Sequence, residues 1–231
     1  MTLSLGLVGP AQSEYLIHFT GRNGSRPNWV PEYIRAMSPQ DRLDAILRES
    51  RVQLFPPFGA ADPGKSGQAC LCLSECPPAH ADHLITIRGY QPWGFVVSRE
   101  AVHRLGGGAV AYVPPQVHAD FQKKGLGHWS VATGERSTWL HEREWRIPLS
   151  RNFLGTLTSV RAILVADIQW RPAIISTGRW VDGETGLEVA GPGARNAVEF
   201  HDYPRLWQES NVWVWNREKR DFDKYAPGEL R

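Results

Sequence analysis

The sequence predicts an α+β fold: a single domain of short mixed or antiparallel strands with few helices. Three observations predict it. Short runs of Val, Ile, Leu and aromatic residues recur along the chain, each bounded by Gly, Pro, Asn or Asp. Helical periodicity is confined to two brief stretches. No internal repeat and no break in composition divides the 231 residues, which suffice for one core.

Residues 15–20 predict the first strand, with Leu16, His18 and Thr20 on one face and Tyr15, Ile17 and Phe19 on the other. The turn-forming 21–25 closes it and an irregular, proline-containing segment, 26–38, follows. Ser38-Pro39-Gln40-Asp41 predicts a helix start: an N-cap hydroxyl, proline at the first helical position and an acid three residues after the cap. Leu43, Ile46 and Leu47 supply its apolar stripe. A loop over 59–67 precedes a second strand, 69–75, which sends Cys70, Cys72 and Ser74 one way and Leu71, Leu73 and Glu75 the other.

Residues 91–97 predict a third strand, and Ser98 caps a short helix stopped by Gly106-Gly107-Gly108. Those glycines lack the residues of a phosphate-binding loop. A strand over 109–113 and a polar stretch, 116–136, follow. Further strands are expected at 159–166, 197–200 and 211–216, with a hairpin over 179–189 around Asp182-Gly183. The ends, 1–13 and 217–231, read as flexible or peripheral, the second from its mixed charge.

Between these lies Trp139-Leu140-His141-Glu142-Arg143-Glu144-Trp145-Arg146-Ile147-Pro148, expected as one strand. Alternation then puts Leu140, Glu142, Glu144 and Arg146 on a common face. Exposed, that row is a solvated surface in which Arg146 pairs with Glu144. Lining a cleft, it holds a carboxylate beside a reacting sugar or carbonyl centre, and buried acids need partners or shifted pKa values.

A 42% apolar and 22% charged composition is that of a globular protein, and a net charge of +2 demands no nucleic acid through its global field. Ten tryptophans suit both cores and stacking sites. Residues 1–11 lack a basic signal-peptide region and no window has the length of a membrane span, so a soluble cytoplasmic protein without membrane contact is expected. Cys70, Cys72 and Cys76, followed by His80 and His83, read either as zinc ligands or as a buried strand in which cysteine acts as a small hydrophobe. The second reading needs no metal.

Several pieces occur together and in order. They are His18-Phe19-Thr20, the helix residues Leu43, Ile46 and Leu47, and Cys72-Leu73-Ser74-Glu75-Cys76-Pro77. Then come Trp93-Gly94-Phe95-Val96-Val97-Ser98, the Gly-Gly-Gly-Ala-Val-Ala-Tyr-Val of 106–113, and Glu142-Arg143-Glu144-Trp145-Arg146. Over roughly residues 15–148 this resembles the AbiGi-like abortive-infection proteins of phage resistance. More distantly it is similar to the DarT-like ADP-ribosyltransferases. The resemblance implies one ADP-ribosyltransferase-like domain, 1–231, built on a split sheet. It implies NAD as substrate and a role in phage defence or a toxin–antitoxin system, with a nucleic acid or protein acceptor and an antitoxin partner. His18, Phe19, Thr20 and Ser74 would hold the cofactor. Tyr90, Trp93 and Tyr112 are the candidates for the nicotinamide stack, and Arg22 and Arg146 those for a phosphate. Glu144 would stand at the ribose, where departure of nicotinamide develops positive charge that a preorganised carboxylate stabilises. Glu142 would orient or deprotonate the acceptor.

Two other function classes stay open. One is a non-catalytic antitoxin or phage sensor with a degenerate fold of the same type, its Glu-x-Glu-x-Arg row a structural strand. The other is a nuclease using His118, His128, Glu142 and Glu144, for which the clustered aspartates of a metal site are missing.

Overall fold

The computed structural model describes residues 12–22, 30–57, 67–134, 139–149, 152–153 and 160–230. The first half of the chain forms β1 (Tyr15–Phe19), α1 (Glu32–Ala36), α2 (Pro39–Glu49), β2 (Val52–Gln53), β3 (Cys70–Glu75) and α3 (Pro78–Thr86). It continues through β4 (Gly94–Ser98), α4 (Arg99–Arg104), β5 (Gly108–Ala109), β6 (Ala111–Val113), α5 (Pro115–Lys123) and β7 (Ser130–Ala132). The second half is nearly all strand: β8 (Glu144–Pro148), β9 (Asn152–Phe153), β10 (Val160–Val165), β11 (Ile175–Asp182), β12 (Glu188–Val189) and β13 (Ala197–Asp202). It ends with α6 (Arg205–Glu209), β14 (Asn211–Asn216) and β15 (Asp221–Tyr225). The protein is therefore α+β, with few and short helices around a large mixed sheet.

That sheet runs unbroken across eight strands in the order β15-β14-β10-β4-β1-β3-β8-β5. Every neighbouring pair is antiparallel except β10 with β14. Three smaller sheets, β12-β11-β13, β2-β9 and β6-β7, complete the strands. One face of the main sheet carries Leu16, Leu71, Leu73, Phe95 and Ile147 and is covered by Leu43 and Leu47 of α2, by Val52 and Leu54, and by Trp207 of α6. The other carries Ile17, Val96, Ala162 and Leu164 and is covered by Ala81 and Leu84 of α3.

Helix α2 forms as its sequence dictates. Ser38 accepts from the Asp41 N–H at 3.0 Å while Asp41 accepts from the Ser38 N–H at 3.2 Å, a complete capping box. The box contributes about 1 kcal/mol. Leu43 and Leu47, 0% and 1% exposed, each contribute about 1.5–3 kcal/mol by burial, so packing rather than capping holds the helix in place.

Three expectations are corrected. The stretch 139–148 is not one strand: Trp139–Glu142 is a 3-10 turn and pairing begins at Glu144. Arg143 between them has φ +43°, a left-handed conformation costly for a side chain, held where its carbonyl accepts from the Glu75 N–H at 3.1 Å. The expected strand 109–113 is broken at Val110 into β5 and β6, which belong to different sheets. The tail after Arg217 is not a loose end, because β15 pairs with β14 from Val212↔Tyr225 to Asn216↔Asp221. The N-terminal end, 1–11, and most of the loop over 59–67 lie outside the described residues.

Candidate functional site

The register of the sheet decides which predicted residues meet. Ile17 stands opposite Ser74, and Ser74 opposite Glu144, so these three share a face. Cys72 and Arg146, also opposed, lie on that face with them. Leu16 stands opposite Glu75 and Val97, and His18 opposite Phe95, which puts His18 on the other face. The expected convergence of His18 with Glu144 and Ser74 in one hollow is therefore corrected: strand alternation sends them to opposite sides.

His18 is nonetheless close to the acid row through the backbone. Its Nδ1 donates to the Cys72 carbonyl at 2.8 Å, and its ring packs 4.9 Å from that of Phe95. Thr20 is 4% exposed, and its hydroxyl is hydrogen-bonded to the carbonyls of Pro39 at 2.7 Å and Trp93 at 3.0 Å. It clamps the start of α2 to the strand instead of offering a hydroxyl to a ligand. Trp93 is a core side chain, edge-on to Trp170 at 5.1 Å, and not a stacking platform.

On the Ser74 face the picture differs. Tyr90 donates to Glu142 Oε1 at 2.8 Å, and Arg22 donates to the same oxygen at 3.0 Å. Phe19 meets the Tyr90 ring edge-on at 5.1 Å. Phe19, Arg22, Tyr90 and Glu142 thus form one group, with the 3-10 turn supplying the acid. Burial pushes the Glu142 carboxyl above its ordinary value; the Tyr90 hydrogen bond pulls against this and the nearby Glu144 charge adds to it. Burial, then Glu142 itself, pushes the Tyr90 phenol upward, so it stays a donor.

Glu144 is differently occupied. Arg146 grips both its oxygens, Nε to Oε1 and Nη2 to Oε2, each at 2.8 Å. The guanidinium is 2% exposed, and its remaining Nη1 donates to the His128 carbonyl at 2.7 Å. The Glu144 N–H donates to the Tyr112 hydroxyl at 2.9 Å, and burial lifts that phenol to about 12. The Cys72 thiol lies against the Glu144 carboxylate; burial first, and that charge second, hold it protonated. Burial likewise raises Cys70 to about 11 and Cys76 further, so none offers a thiolate. Among the described residues no group of three or more His, Cys, Asp or Glu is placed to hold a metal ion.

A cleft of about 810 Å³ opens beside the C-terminal end of β1. His18, Phe19 and Thr20 line it, as do Cys70 and Cys72, with Arg42, Ile46 and Glu49 of α2 on the facing wall. The Arg42 guanidinium donates to the carbonyls of Thr20, Ile34 and Met37. The signal that finds this wall is the row Arg42, Ile46, Glu49 at helical spacing, one step round from the core stripe. Glu75 was also missed: it takes hydrogen bonds from the Ser13 N–H at 3.0 Å and Trp145 Nε1 at 3.3 Å and pairs with Arg99 and Arg143. These bonds and ion pairs outweigh burial and hold its carboxyl below the ordinary value.

Of the residues that the resemblance implies for NAD, His18 thus lies across the sheet from Ser74 and Glu144, Thr20 and Trp93 are packed in the interior, and Phe19, Arg22 and Tyr90 gather at Glu142. Among the described residues no helix is long and apolar enough to cross a membrane. Compared with protein-family models, with curated proteins and with solved structures, the chain finds no significant match in any of the three.

Proposed function

We propose that the chain is a non-catalytic binding protein, an antitoxin or phage sensor of a cytoplasmic phage-defence or toxin–antitoxin system. Its partner is a protein or a nucleic acid. The single observation that carries this reading is the fork of Arg146 on Glu144: both oxygens of the acid expected at the ribose are taken by a buried guanidinium on the same strand. A carboxylate so neutralised has little charge left to meet a cationic centre. The order of motifs, in its resemblance to the AbiGi-like proteins, supports the phage-defence context.

A second reading has one observation in its favour. Glu142 has its Oε1 engaged by Tyr90 and Arg22, while its Oε2 makes no hydrogen bond among the described residues. If the chain is an ADP-ribosyltransferase on an altered fold of that type, Glu142 and not Glu144 is its acid.

Incubating the native protein with labelled NAD and cell extract separates the two. The binding reading expects no nicotinamide release and no labelled product, with Glu144→Gln lowering the melting temperature. Release that Glu142→Gln abolishes without changing the melt would overturn it in favour of transfer.

A further inference from the structure

Among the described residues the outer side of β13 in the three-stranded sheet has no strand beside it. β13 pairs with β11 on one side and ends the sheet on the other. Such an edge presents unpaired N–H and C=O groups, and natural sheets guard theirs with short length, charged side chains (lysine above all), proline or a bulge. Other edges of this protein obey that rule: β5 and β12 have two residues each, and β15 carries Asp221, Asp223 and Lys224. β13 is guarded less: it runs Ala-Val-Glu-Phe-His-Asp over six residues without lysine or proline, its acids Glu199 and Asp202 flank His201, and the irregularity in its pairing lies in β11 between Ser176 and Arg179.

The direction of its backbone groups is fixed. The Phe200 carbonyl accepts from Thr177 of β11 at 2.7 Å, so the polar groups of Phe200 face inward. Alternation then turns those of Glu199 and His201 outward. In agreement, His201 Nδ1 reaches the Glu199 carbonyl at 3.0 Å within the same strand. Both side chains are exposed, as is Val198 at 49%.

We propose that β13 is a self-pairing edge: a second copy of this chain adds antiparallel to it, about a twofold axis through Phe200. The register is self-complementary. Glu199 stands opposite His201 of the second copy, and His201 opposite its Glu199. Each of these pairs exchanges two backbone hydrogen bonds, because both members have outward polar groups. The acid and the imidazole meet as a favourable cross-strand pair at both ends. Two Phe200 rings come side by side on the face where Arg179 already lies 5.4 Å over the ring. The two sheets join into one of six strands, and an isologous contact of this kind closes at the dimer.

Sedimentation velocity on the full chain over a concentration series tests the assignment. The native protein is expected to move from monomer to twice that mass. Glu199→Lys, which sets a cation against the opposing imidazole, is expected to lose the dimer. Adding His201→Glu to it restores the opposite charges and is expected to bring the dimer back. Should Glu199→Lys fail to fold, His201→Pro is the second variant, since the N–H it removes points outward. A native protein that stays monomeric, with or without a foreign chain on β13, overturns the proposal. So does a dimer that survives in folded Glu199→Lys or His201→Pro, or a folded double variant that remains monomeric.

Discussion

Arg146 is buried in ion-pair contact with the Glu144 carboxylate, and its neutral partners are the carbonyls of His128 and Ser130. Removing one member of a buried pair strands the other charge away from water. Arg146→Met is therefore expected to cost about 3–5 kcal/mol in urea unfolding, more than the loss of an exposed pair. The Tyr90 side holds a second set of titrating groups. The rings of His80 and His83 lie 6.2 Å apart, and those of His83 and His141 6.4 Å. Arg88 donates to His141 Nε2 at 3.0 Å, which puts the proton on Nδ1, a buried atom with no partner among the described residues. Burial first, then the charge of Arg88, holds His141 down at about 4, and burial with Arg143 lowers His80. The unfolded chain, with ordinary histidines near 6.5, takes up protons before the folded one does. Stability is thus expected to be full above the unfolded value and to fall as pH drops from about 6.5 towards 4. Denaturant titrations across that window measure the slope, and His141→Gln is expected to flatten it.

At the scale of the element, Gly94 shows how closely β1 and β4 approach. A Cβ built there would stand 1.9 Å from the His18 carbonyl oxygen, a backbone atom that no rotamer change can move. Gly94→Ala is expected to cost more than about 3 kcal/mol, read as a fall in the thermal midpoint. Helix α2 was legible because its cap, first-turn proline and apolar stripe sit together in sequence. Helices α3 and α5 were not, although Pro77-Pro78 and Pro114-Pro115 stand at their starts. Paired prolines read as breakers, yet the second of each pair occupies the first helical turn, where its fixed φ is an asset. With no side-chain cap and short apolar stripes, nothing else announced these helices. The Glu142–Glu144 segment misled in the opposite way. Its alternation is that of a strand, but the tertiary bond from Glu75 to the Arg143 carbonyl, with the Arg143–Glu75 ion pair at 3.3 Å, turns the chain first.

For the whole molecule, the faces within each strand were readable and the relation between strands was not. Period-two alternation alone places Leu16 with His18 and Ser74 with Cys72. Whether His18 and Glu144 meet depends on β3 lying between β1 and β8 in the register Ile17↔Ser74↔Glu144, and a shift of one residue would reverse the outcome. The end of the chain is a second case. β15 covers the outer side of β14, and Tyr225 and Leu230 pack against the core beside Val212 and Val214. A chain ending at Asn216 is expected to lose native near-ultraviolet circular dichroism and to be cut rapidly by proteases, because β14 becomes a long apolar edge. A solvated tail would leave both unchanged.

The parallel pairing of β10 with β14 obliges the chain to leave one end of the sheet and re-enter at the other. The 45 residues from 166 to 210 make that journey, far beyond the dozen or so such a crossing needs, and the surplus is the outlying hairpin-and-strand unit from Ile175 to Asp202. Its strands touch chiefly one another, whereas the return leg through Trp207 is anchored in the core. Geometry thus makes the unit an appendage slung from a bridge. Its sequence is at liberty to drift, and to trade one assembly for another, while the structure that carries it stays put.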